Sequence, residues 1–397
     1  MFLDLPDALE SQEGLLVLDF NTRFSALRAG HVRVAFYYDY PDFSTFRYRV
    51  HNIIEVIRDR YKSQLRPDIS ASWFCHADGS DLAKIPDAAD VIIICRARYS
   101  AILNSLITRS KSLNRSVIFD VDDLVIDTRH AHLIAHTIGQ DMLNEDVWNY
   151  WFGYIGRVGA LMQMCDRVIT TNEFLSGQIT ASSDMRVSIV PNFMNKAQLE
   201  YSDSIYARKV AGDFARNSFF DIGYFSGSPS HNKDFSIASD ALAKLMKDDA
   251  SLRLILVGYL EPQGAILEFG DRIQRAPLED YIKLQKLIGG VELNIVPLQD
   301  NIFTNCKSEL KYFEAAAVGT LTLASPTFVF NRAIQDGKNG WIARNQEWYQ
   351  KLSTIISIGR DNNDRFRDMT TMAQSDARTL FSWQTQYETV HAALFNT

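Results

Sequence analysis

The sequence predicts an α/β protein built on parallel sheets. Short runs rich in Val and Ile alternate with amphipathic stretches from residue 32 onward, and the alternation stops at a polar stretch, 192–218, and then restarts. In the first series the strands are Val32–Tyr37, Val91–Cys95, Val117–Val121, Val168–Thr170 and Val187–Val190. Between them Val50, Ile53, Ile54 and Ile57 recur at helical spacing, and Val147–Met164 is long enough for a second buried helix. The second series reads as strands Ile222–Phe225, Leu252–Val257, Val291–Val296 and Leu321–Ala324, separated by helices near 233–247, 279–288 and 307–318. The polar stretch is the expected junction, giving domains 1–195 and 196–380. The tail from Gln346 reads as helices broken near 361–363 and 381–383, which sets 381–397 apart as a final helix.

With 46% hydrophobic and 22% charged residues in 397, the chain can bury a sizeable core, and disorder is excluded as its main state. The net charge is −7, with 19 basic against 24 acidic residues up to 195 and 22 against 24 beyond. Neither half has the cationic excess that neutralises nucleic-acid phosphates or docks on anionic lipid, so no nucleic-acid partner is expected, and membrane contact is expected to be peripheral at most. Cys75, Cys95, Cys165 and Cys306 are widely spaced and read as reduced, buried thiols. The first 13 residues carry four acidic and no basic side chains, and no aliphatic run is long enough to span a bilayer. A soluble, cytoplasmic protein without a transmembrane segment is expected.

Four segments carry candidate chemistry. Phe225–Asp234, FSGSPSHNKD, joins a strand to a helix, where free amides and the helix dipole attract an anion and Lys233 supplies a countercharge; a solvated loop capped by Ser230 or Asn232 is the alternative. In Thr304–Gly319 the helical stripe Leu310, Phe313, Glu314, Ala317, Val318 places a carboxylate on an apolar face, where it needs either ligand hydroxyls or a neighbouring lysine. Lys307 and Lys311 lie i, i+4 on the adjacent face, either as an anion site or as a surface ladder. Val117–Asp127 ends in carboxylates, and Asp120 and Asp122 imitate the nucleophile loop of haloacid-dehalogenase-type phosphatases, although Leu124 stands where those enzymes carry Thr or Val. In Ser44–Asn52, Ser44 or Thr45 caps a helix while Arg47 and Arg49 point either into an interdomain cleft or to solvent. His130, His132 and His136 lack the i, i+4 spacing of a helical zinc site, so no metal site is expected.

The order of the pieces ITTNEFLSGQI, VSIVPNF, IGYFSGSPSHNKDF, LRLILVGYL, VELNIVPL, KSELKYFEAAAVGTLTLASP, DGKNGWIA and FSWQTQYETVHAALF resembles the retaining glycosyltransferases of family 4. The segment DVDDLVID is similar to a strand end in bacterial members that build surface polysaccharides. The resemblance implies a GT-B fold, in which two Rossmann-like domains face each other across a cleft and the final helix crosses back to the first. It implies a nucleotide-sugar donor held by the second domain and a saccharide or lipid-linked acceptor held by the first. The family's Gly-Arg turn and following Lys match Gly227, Ser228 and Lys233; Ser228 replaces the arginine, so Lys307, Lys311 or an N-domain arginine would supply the missing charge. Of the family's two glutamates, the second aligns to Glu314, on the donor ribose, and the first to Cys306, whose role would pass to backbone amides or Ser308. Lys233 and Glu314 are thus the expected catalytic residues, Gly227, Ser228, Asn305, Lys307, Ser308 and Lys311 the donor-binding set, and Ser44, Arg47, Arg49, Asp122 and Asp123 the acceptor or cleft set.

The expected activity is transfer of a sugar from a nucleoside diphosphate sugar, with retention and without a metal or cofactor. A GT-B-like module that binds nucleotide or glycan without turnover, and a metal-dependent phosphatase using Asp120 and Asp122, are the alternatives.

Overall fold

The computed structural model describes residues 2, 5–6, 18–42, 44–227 and 232–396, and places two six-stranded parallel sheets in one chain. The first contains β1 (Val32–Tyr38), β2 (Ile69–Cys75), β3 (Val91–Cys95), β4 (Ser116–Val121), β5 (Arg167–Thr170) and β6 (Val187–Ile189), in the order β2-β1-β3-β4-β5-β6. The second contains β7 (Phe220–Ser226), β8 (Leu252–Gly258), β9 (Ile273–Ala276), β10 (Leu293–Val296), β11 (Leu321–Ala324) and β12 (Trp341–Ile342), in the order β12-β11-β10-β7-β8-β9.

Alternate residues of each strand feed opposite faces, and helices cover both, so the strands read as nearly continuous apolar runs. In β1, Ala35 and Tyr37 join one apolar cluster while Val34 and Phe36 join the other. The second cluster is closed by Val390, Ala393 and Leu394 of the final helix, Tyr387–Phe395, which has crossed back from the second half. The two chain crossings run side by side: Met194 N–H donates to the Phe381 carbonyl at 2.8 Å, and Trp383 N–H to the Met194 carbonyl at 3.0 Å.

Three strands escape the hydrophobic pattern, and the polar stretch 192–218 turns out to contain a packed helix, Lys196–Ala211. Its polar residues Gln198 and Ser202 are fully buried, along with Asn195 at its cap, so the stretch is polar because it carries internal hydrogen bonds. The helix expected at 307–318 is found as Leu310–Ala317, and a separate short helix, Ile302–Asn305, precedes it. The helix expected to be buried, Glu145–Met162, is buried only along Ile155, Val158, Leu161 and Met162 and exposes aromatic rings in its first half. All four cysteines are free and buried. Among the described residues no helix is long and apolar enough to cross a membrane.

Candidate functional site

In an open parallel sheet, the carboxyl ends of the strands flank a crevice where the strand order reverses. The first sheet reverses between β1 and β3 and the second between β7 and β10. The segments leaving these strands carry the predicted residues: Ser44, Arg47 and Arg49 follow β1; Gly227, Ser228 and Lys233 follow β7; Asn305, Lys307, Ser308 and Lys311 follow β10. Asp122 and Asp123 leave the neighbouring β4. Ser228 lies outside the described residues.

The centre of the arrangement is Glu314, on the helix Leu310–Ala317, with 4% of its surface exposed. Three donors converge on its Oε1: Arg47 Nη2 at 3.2 Å, Tyr48 Oη at 2.5 Å and Gln198 Nε2 at 3.1 Å. Its Oε2 accepts no hydrogen bond among the described residues. Arg47 lies between the rings of Tyr48 and Tyr281, 4.1 and 4.5 Å from their centroids, and its buried Nε and Nη1 have no acceptor among the described residues. A buried arginine with two unspent donors thus stands beside a buried carboxylate with an unspent oxygen, an arrangement that invites a polar ligand.

The second half also supplies cations. Lys311 lies 5.1 Å over the Tyr224 ring, and burial pushes its ammonium down to about 8 while Asp234 and Glu314 pull it up. Lys307 packs its ammonium 4.7 Å from the Phe303 ring. Lys233 is half-buried and donates to the His136 carbonyl of the first half at 2.9 Å. Gly227 is exposed, with no atom within 4 Å of the position a Cβ would take. Ser308 Oγ accepts from Asn192 at 2.9 Å, and Asn172 donates to the Cys306 carbonyl at 3.0 Å, so the β10 loop is pinned to the first half. Asn305 ties that loop to the segment after β11, donating to Asp300 and accepting from Phe328 N–H at 2.7 Å.

On the first half, Asp122 accepts from Thr45 at 3.0 Å and from Arg96 at 3.1 Å, and Asp123 from Arg96 at 2.8 Å. Ser44 is exposed and caps nothing; Asp42 instead accepts from the Ser44 and Phe46 amides at 2.8 and 3.1 Å. A cavity of about 240 Å³ opens at the carboxyl end of β8, lined by Asn232, Gly258, Tyr259, Leu260, Glu261 and Arg275.

Two readings are corrected. Arg49 is not a cleft residue: it is fully buried and gripped by Asp120 through bonds of 2.9 and 2.7 Å, with further bonds to the Val190 carbonyl and Asn192. The same pairing engages both oxygens of Asp120, which at 1% exposure is no phosphatase nucleophile. Cys306 is a buried thiol, as expected, and packs with Phe303 into the first half's apolar cluster. Among the described residues no three His, Cys, Asp or Glu side chains gather as metal ligands.

Sequence reasoning missed Tyr48, Gln198, Arg96 and Glu309. Tyr48 had a signal, since it lies between the two arginines that were singled out. Gln198 and Arg96 had none, because their partners lie 116 and 26 positions away in sequence. Glu309 heads the Glu314 helix, and burial, with the Glu173 charge adding to it, pushes its carboxyl up to about 7.

The structure is similar over nearly its whole length to several solved proteins. HepE of Anabaena, in complex with UDP and glucose, aligns at a TM-score of 0.58 and 15% identity, covering 92% of this chain and 100% of that one. This is the GT-B fold. A glycosyltransferase from Rickettsia africae aligns at 0.59 with 14% identity, covering 92% and 99% of the two chains. Sucrose-phosphate synthase from Thermosynechococcus elongatus aligns at 0.59 with 13% identity, covering 90% and 97%. No protein-family model and no curated protein matches the sequence.

Proposed function

We propose that the protein is a cytoplasmic glycosyltransferase, of family 4 and the surface-polysaccharide type, that moves a sugar from a nucleoside diphosphate sugar to a saccharide or lipid-linked acceptor with retention and without a metal. The domain at 196–380 holds the donor, the domain at 1–195 holds the acceptor, and 381–397 returns to the first. The observation that carries this is the buried Glu314–Arg47 centre, with one carboxylate oxygen and two guanidinium donors that have no partner among the described residues, set at the reversal points of the two sheets. The Anabaena protein of the same fold was solved with UDP-glucose, which supports a sugar nucleotide here.

In this reading Glu314 Oε2 accepts a ribose hydroxyl. Lys233, Lys307 and Lys311 surround the diphosphate, and the helix N-termini after β7 and β10 add their amides. As the bond from the anomeric carbon to the diphosphate oxygen breaks, negative charge grows on the phosphate, and these cations hold it more strongly than they hold the ground state. The acceptor hydroxyl oxygen forms the new bond on the same face and passes its proton to the leaving diphosphate. Losing one such cation costs on the order of 10² to 10³ in rate. Lys233→Ala is therefore expected to lower turnover more than donor affinity, and an unchanged rate would make Lys233 a surface tether to His136.

The test is a panel of nucleoside diphosphate sugars, read by thermal shift and product detection. A true donor raises the melting temperature as RT ln(1 + [L]/Kd) and yields free nucleoside diphosphate in the presence of EDTA. Stabilisation without product would support a binding module. Turnover lost in EDTA and restored by magnesium would overturn the metal-free mechanism.

A further inference from the structure

The first half of the helix Glu145–Met162 carries an aromatic face that the donor chemistry does not use. Tyr150 is 56% exposed and stacks on Tyr154, with centroids 6.0 Å apart and ring planes at 19°. Trp151 meets both edge-on, at 5.2 and 5.8 Å. Trp151 and Tyr154 are half-buried against the first half's apolar cluster and hold Tyr150 out to water, and Tyr and Trp suit ligands with both apolar faces and polar edges.

The face is continuous with the crevice. Arg98 lies over the Tyr154 ring at 5.9 Å and pairs with Asp39, just after β1, at 3.6 Å. Arg157 of the same helix donates twice to the Tyr99 carbonyl, fixing the helix to the loop that leaves β3. That loop begins at Arg96, which holds Asp122 and Asp123. A chain-like ligand lying on Tyr150 and Tyr154 would therefore run toward the carboxyl ends of β1, β3 and β4.

Charge decides what that ligand is. The half of the helix that carries the rings has Glu145 and Asp146 and no Lys or Arg, and the arginines beside it are engaged, Arg98 with Asp39 and Arg157 with the Tyr99 carbonyl. Helices that lie on anionic membranes carry Lys and Arg on the polar face, which the ring-bearing half of this one lacks. A neutral saccharide has apolar C–H faces for the rings and hydroxyl donors for the carboxylates.

We propose that Tyr150, Trp151 and Tyr154 form a platform for an uncharged oligosaccharide, the distal sugars of the acceptor. This rests on the glycosyltransferase reading and specifies its acceptor as a neutral glycan chain. The test is affinity electrophoresis of the full chain in native gels containing dextran, β-glucan, galactomannan or starch, beside flotation with phosphatidylglycerol vesicles and thermal shift with UDP-sugars. At least one glycan should retard the wild type, and Tyr150→Ala should weaken that retardation about tenfold, while Phe152→Ala, on the opposite flank of the helix, retains it. UDP-sugar stabilisation should be the same in all three proteins. No retardation by any glycan, retardation equal in Tyr150→Ala and wild type, or vesicle binding that Tyr150→Ala removes would each overturn the platform. A protein retarded by glycan but stabilised by no sugar nucleotide would keep the platform and defeat the transferase reading.

Discussion

Glu314 holds three donors on one oxygen, and this gives its substitution two separable effects. Glu314→Gln removes the counter-charge of a buried guanidinium, and breaking such a pair costs about 3 to 5 kcal/mol, so the melting temperature should fall. It also weakens a charge-assisted bond to the ribose, so nucleotide affinity should fall roughly ten- to a hundredfold. Adding Arg47→Met should restore the melting temperature without restoring affinity in calorimetry; recovery of both would make Glu314 a structural partner of Arg47 alone. Glu309 next to it has a different signature. Its carboxyl titrates near 7 in the folded chain because burial disfavours the charge. The folded state therefore binds a proton that the unfolded state has already released, and stability is greatest below the ordinary glutamate range and declines as pH rises to about 7. Glu309→Gln should flatten that decline in melting temperature between pH 5 and 8, and an unchanged slope would place the titration elsewhere.

At the scale of elements, the backbone at the end of β8 is built without room for a side chain. Gly258 has φ +85°, and a Cβ there would sit 2.0 Å from the Ser226 carbonyl at the end of β7. Gly258→Ala must push these two strand ends apart, costing about 1 to 3 kcal/mol and deforming the cavity beside them. A lower melting temperature together with weaker nucleotide binding is the expected result, and a melting temperature equal to wild type would refute the close approach. The central strands were legible in the sequence because both of their faces are buried, which forces runs such as VIIIC in β3. The strands that were missed, β2, β9 and β12, are all sheet edges. β2 hides Ser70 and Ser72 in an otherwise apolar run, with Ser70 Oγ donating to the Leu27 carbonyl, and β9 is half exposed with Gln274 and Arg275 outside. The break between the tail helices was legible too, because Asn362 caps the second of them. What was legible was which segments leave the strand ends, as with the one carrying Asp122 and Asp123 after β4. Arg49 was misplaced because sequence spacing says which residues share a segment, not which of two neighbouring arginines meets a buried carboxylate.

Across the whole molecule, the donor reading sets a condition on the closed centre. Arg47 and Tyr48 come from the first sheet's side and Glu314 from the second, so a ligand that draws Glu314 away also loosens the halves. The five residues Arg47–His51 form a π-helical turn with Arg47 turned to Glu314 and Arg49 to Asp120. Amide exchange in this turn should change when a sugar nucleotide binds, while exchange at Met194 and Trp383 stays fixed; the opposite pattern would mean that the crossings, not the centre, yield. The reason lies in how the chain passes between halves. Two independent linkers would leave one body free to swing, twist and slide on the other, but here both passages are laced together by the Met194 bonds to Phe381 and Trp383. Paired in this way they would act as a single hinge pin, and any motion of the halves would reduce to one soft rotation. Opening and closing then become the same path travelled in two directions, and a ligand's only mechanical choice is how far along it the molecule rests.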